Sequence, residues 1–106
     1  MNTQFKKGVI EMCVLSLVAS EDRYGYELIE TISKSIEISE GTIYPILRRL
    51  SKEGYFETYL VESTSGPPRK YYKITKLGKE AALDLTKEWK SFAEKVNQIL
   101  KSNNNR

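Results

Sequence analysis

Residues 39–53 (Ser-Glu-Gly-Thr-Ile-Tyr-Pro-Ile-Leu-Arg-Arg-Leu-Ser-Lys-Glu) acquire two chemically opposed faces when wound at helical pitch. Ile43, Ile46, Leu47 and Leu50 fall at i, i+3, i+4 and i+7 and share one side. Thr42, Pro45, Arg48, Arg49 and Lys52 gather opposite them. The apolar side ties such a helix to its own domain, and the basic, donor-rich side is free to enter a DNA major groove. Gly54 fits a left-handed helix stop. Tyr55–Glu62 is rich in aromatic and β-branched residues and predicts a strand. Ser63–Arg69 has loop chemistry around Gly66-Pro67-Pro68, and Lys70–Thr75 predicts the return strand with Tyr72 and Ile74 on one face. Two strands alone are marginal, so this hairpin must lean on helices.

The flanking segments supply them. Residues 5–19 predict a helix apolar on most sides, interrupted by Glu11 and Ser16, as expected between two layers. Ser20–Arg23 is a polar turn. Residues 24–35 predict a second helix, with Leu28, Ile32 and Ile36 on a stripe and Gly25 allowing close approach near its start. Ser39 is expected to cap the third helix by accepting a free amide, and Pro45 to make its first turns irregular. Thr75 can cap a last helix running to about residue 101. There Gly78, Ala82, Leu85, Trp89, Phe92, Val96 and Ile99 alternate steps of four and three, a heptad seam. A domain of this size cannot cover the whole seam, so a second copy of the chain is expected to do so.

The expected organisation is residues 1–75 as a winged helix-turn-helix, 76–101 as a dimerisation helix and 102–106 as a disordered tail. The fold class is mainly α with a β-hairpin. Chain length, 106 residues, suits one such domain. Net charge is only +3, so placement matters more than the sum. Lys6 and Lys7 stand near the start, Arg48, Arg49 and Lys52 on the third helix, and Arg69, Lys70 and Lys73 around the hairpin.

Several chemistries are disfavoured. The chain has no histidine, which removes His-dependent nucleophile systems and most zinc sites. It shows neither clustered carboxylates nor a phosphate-cradling loop, so no enzyme, metal or cofactor is expected. Cys13, the single cysteine, sits in an apolar run and reads as a small buried hydrophobe. Lys6 and Lys7 before Val9–Val18 imitate a secretory leader, but Glu11 breaks the apolar stretch. No run approaches the ~20 apolar residues of a membrane span, and a cytoplasmic location is expected.

Three helices followed by a basic-tipped hairpin form the winged-helix order. In it Arg48 or Arg49 can pair with guanine, and Thr42 can meet a phosphate or a thymine methyl. Arg69 and Lys70 suit phosphates, and the Tyr24 and Tyr44 hydroxyls suit the DNA backbone. Each feature alone also has a plain structural explanation, and a winged-helix module binding protein or RNA is the competing reading.

Tyr24-Gly-Tyr-Glu-Leu28, Ser39–Leu50, Glu53-Gly-Tyr55 and Gly66–Thr75 followed by Leu77-Gly78 together resemble the PadR family of bacterial transcriptional regulators. A single long helix after the wing is similar to its smaller branch, which holds multidrug-sensing regulators such as LmrR. The resemblance implies a homodimer that represses a promoter through a palindromic operator and is released by a small molecule. It implies that Thr42, Tyr44 and Pro45 open the recognition helix and that Arg69 and Lys70 form the wing; the residues themselves add Ser39, Tyr24 and Lys6 as further candidates for DNA contact. It further implies that Trp89, placed in Lys87-Glu-Trp-Lys90, stacks on a planar aromatic effector; Leu85, Phe92 and Met12 are the further candidates for lining that site. The residues themselves leave open a second role for Trp89, as a seam residue packing on Phe92.

Overall fold

The computed structural model describes the chain from Thr3 to Asn104, and the side chains of residues 6–102. Its elements run α1 (Thr3–Ser20), β1 (Arg23–Tyr24), α2 (Gly25–Ser33), α3 (Glu40–Lys52), β2 (Phe56–Val61), β3 (Arg69–Ile74) and α4 (Lys76–Asn104). The apolar stripes anticipated from spacing meet in one core. Ile10, Val14, Leu15 and Val18 of α1 join Leu28 and Ile32 of α2 and Ile43, Ile46, Leu47 and Leu50 of α3. Phe56, Tyr72 and Ala82 close it from the sheet and α4. The central helix α1 touches α2, α3, α4 and β3, which explains why it is apolar on most sides.

The sheet has three strands, ordered β1-β3-β2 and antiparallel throughout, where spacing indicated two. The extra strand is Arg23–Tyr24, which spacing had divided between a turn and a helix start. Two residues show no alternation, and the pairing of Arg23 with Tyr72 and Tyr24 with Tyr71 joins distant stretches of chain. Anchored on both edges, β3 holds the wing to the helical core.

Helix ends obey local chemistry with three departures. Ser39 does not cap α3 through its side chain. Its carbonyl instead accepts from the amides of Thr42 (3.0 Å) and Ile43 (3.2 Å), while its hydroxyl lies 3.4 Å from that of Thr42. Pro45 lies inside α3, exposed on its outer side, and the helix runs unbroken through it. The expected disordered tail is also corrected, because α4 continues as helix through Asn104; residues 105–106 lie outside the described residues. Ser102, Asn103 and Asn104 extend the polar end of an already propagated helix, which costs less than starting one.

Two glycines have firm reasons. Gly54, at φ 87°, takes the left-handed stop after α3. Gly78 lies so close to the base of β2 that an added Cβ would sit 2.2 Å from the Tyr55 carbonyl oxygen and 2.7 Å from Ile74. The Thr75 hydroxyl accepts from the Gly78 amide at 3.0 Å, capping α4 as expected, and donates to the Gly54 carbonyl at 2.7 Å. The root of α4 is thereby locked to the wing. Beyond it the helix projects, and the molecule reaches 61 Å along one axis but only 28 and 20 Å along the others.

Candidate nucleic-acid interface

With Ile43, Ile46, Leu47 and Leu50 turned inward, α3 presents Gly41, Pro45, Arg48 and Lys52 as its exposed ridge. Thr42 and Tyr44 flank this ridge, both half-buried. The Tyr44 ring approaches Gly25, where a Cβ would come within 3.4 Å of it, so the expected close approach at that glycine is to α3 and to Tyr72. Burial raises the Tyr44 phenol above its ordinary pKa, with the Glu40 carboxylate adding to the rise. Tyr44 therefore stays a neutral donor at physiological pH. Arg48 and Lys52 form no ion pair among the described residues, and their charges face solvent.

Arg49 behaves otherwise. It was expected on the outer face, but lies a third of a turn away, where α1 comes near. Its guanidinium bridges the Glu11 carboxylate of α1 and both oxygens of Glu53, the latter at 3.2 and 3.3 Å. Counting positions along α3 could not reveal this, because the partner belongs to another helix. Glu11, an isolated charge in an apolar segment, was the available sign.

On the wing, Arg69 and Lys70 begin β3 and are exposed. The Arg69 guanidinium lies 5.2 Å from the centre of the Tyr24 ring, a cation–π contact that pre-orients it. Tyr24 sits in a row of aromatic rings across all three strands. Tyr59 stacks on Tyr71 with centroids 5.5 Å apart, and Tyr71 lies 5.9 Å from Tyr24. The Tyr59 hydroxyl donates to Asp22 at 2.6 Å. Tyr59 and Tyr71 escaped sequence reasoning because the row exists only through strand register; the inward Tyr72 did imply that Tyr71 points outward. Lys6 stands apart, half-buried on α1, with no hydrogen bond or ion pair to α3 or the wing among the described residues.

A second region gathers the residues expected around an effector. Met12, Leu85, Trp89 and Phe92 line one open groove of about 500 Å³ between α1 and α4, joined by Gly8, Val9 and Glu88. On the other side of Trp89 lies a cleft of about 330 Å³ walled by α1, α2 and α4, including Cys13, Ile32, Ile36 and Thr86. That cleft was not anticipated, since α2 and α4 meet across it only in the folded chain. Burial pushes the Cys13 thiol up from its ordinary pKa, in keeping with an inert side chain.

A cationic helix ridge beside a basic wing, both braced on one core, defines a winged helix-turn-helix DNA-binding protein. The chain belongs to the transcriptional regulator PadR-like family, whose model matches residues 14–84. A PadR-like transcriptional regulator from Bacillus cereus is 41% identical, with a TM-score of 0.82 over 92% of this chain and 97% of that one. A Streptococcus transcriptional regulator is 37% identical, also with a TM-score of 0.82, over 92% of this chain and 98% of that one. An uncharacterised protein from Lysinibacillus sphaericus is 37% identical over 89% of this chain and 90% of its own length. The chain is thus a DNA-binding transcriptional regulator, and members of this family act without catalysis. Among the described residues no helix is long and apolar enough to cross a membrane.

Proposed function

We propose that the chain works as a homodimeric repressor that binds a palindromic operator and is released by a planar aromatic molecule held around Trp89, as in the LmrR-like branch of the family. The observation that carries this reading is the convergence of Met12, Leu85, Trp89 and Phe92 on one groove along an otherwise uncovered apolar stripe. Phe92 is 57% exposed and Ile99 70%, surface that favours a second copy of the same helix. A two-fold pair would set two reading helices about 34 Å apart, one turn of duplex. Arg48, with Thr42, Tyr44 and Pro45 beside it, would face the major groove. Arg69 and Lys70 would grip phosphates, and Tyr24, Ser39 and Lys6 would lie at the edges of the contact.

Trp89 is the single tryptophan, so the chain's tryptophan fluorescence reports on its surroundings, this groove and the cleft behind it. A panel of planar aromatic dyes titrated against it is expected to yield quenching at micromolar concentration, together with loss of operator binding. Dyes that leave both signals unchanged would remove the effector from the proposal; a chain that sediments as a monomer at micromolar concentration would remove the palindrome.

A further inference from the structure

Of the three cations on α3, Arg49 alone is engaged in ion pairs among the described residues, with its own side chain half-buried. One terminal nitrogen of its guanidinium meets Glu11 and the other meets Glu53. The Glu11 side chain is only 23% exposed, and the helix around it is fixed by apolar contacts with Ile10, Val14 and Val18. Such contacts resist separation more than sliding, because dispersion and burial carry little direction. A forked guanidinium between two carboxylates does carry direction. Two carboxylates and one guanidinium also leave this cluster negative, which repels a DNA phosphate.

We infer that Arg49 is a positioning residue: clamped by Glu11 and Glu53, it fixes the rotation of α3 against α1 and so determines how selectively Arg48 and its neighbours meet base edges. The inference rests on the reading that α3 enters the major groove. On this account Glu11, remote from the DNA-facing ridge, governs sequence selectivity as strongly as Arg49. A contact role for Arg49 makes the opposite demand, since removing Glu11 would then free the arginine and strengthen binding.

The test is a double-mutant cycle on the full chain with Glu11→Gln, Arg49→Gln and the combined variant. Each is measured against a duplex selected by the wild-type protein from a random pool and against an unrelated duplex of equal length. The ratio of the two affinities is expected to fall about tenfold in each single variant and no further in the double, the mark of two residues acting through one bond. The dependence of binding on salt should stay as in the wild type, whereas Arg48→Ala should reduce its slope by about one. Selectivity lost in Arg49→Gln but kept in Glu11→Gln, or losses that multiply in the double, would overturn the inference. Should a glutamine variant fail to fold, Glu11→Asp and Arg49→Lys pass through the same cycle with the same two outcomes. A wild-type chain that selects no duplex defeats the groove-binding reading instead, and is recognised before any variant is made.

Discussion

The compact head of the molecule and the distal half of α4 are built from the same apolar spacing and meet different ends. Gly78 and Ala82, the first two members of the seam, are buried against the chain's own wing and core. From Leu85 onward the seam emerges, with Trp89 37%, Phe92 57% and Ile99 70% exposed. Periodicity therefore identifies a face and says nothing of what covers it. That depends on how far the helix outruns the domain beneath it.

Gly78→Ala attacks the joint between the two regions and should have the largest effect. The new methyl collides with the Tyr55 carbonyl, a backbone atom that cannot swing aside. Urea unfolding is expected to show a loss of about 3 kcal/mol, at the upper end for overpacking. A loss below about 0.5 kcal/mol would mean that the root of α4 can move away from the wing.

Phe92→Ser with Ile99→Ser acts on the distal half alone. Self-association measured by sedimentation is expected to weaken at least about tenfold, through lost apolar burial between copies. Far-ultraviolet dichroism of the head should be retained. Association left unchanged would assign the uncovered stripe to some other occupant.

Alkaline pH tests the head by itself and has the smallest effect. Burial, aided by Tyr44 and opposed by the charge of Arg48, raises the Tyr72 phenol above its ordinary pKa. The folded chain thus keeps this proton where the unfolded chain has lost it. Its contribution to stability is full below about pH 10 and declines as pH rises beyond that value. Tyr72→Phe should flatten this alkaline decline and leave self-association unaltered; an unchanged slope would show that Tyr72 ionises as freely as an exposed tyrosine.

Most of the fold could be read from the chain because its signals are local. The α3 stripe, the Gly54 stop and the Thr75 cap each require only a few neighbouring residues, and each recurs in the structure. The failures share a non-local cause. Arg23–Tyr24 becomes a strand because β3 passes beside it, and Arg49 turns from the groove-facing ridge because Glu11 waits on another helix. The Ser39 side chain forgoes its cap although its residue type allowed one, its carbonyl serving the first turn in its place. For the effector groove, Met12 and Trp89 are separated along the chain by most of the domain, and only the packing of α1 on α4 joins them.

The tight seat of Gly78 turns the rest of α4 into a lever with its fulcrum at the wing. From that glycine to Asn104 the helix holds 27 residues and is about 39 Å long. A tilt of about 5° at the fulcrum sweeps the far tip through about 3 Å at that arm length. Conversely, a partner gripping the tip gains mechanical advantage over the orientation of the head, so small adjustments where two copies touch become deliberate steering at the opposite end.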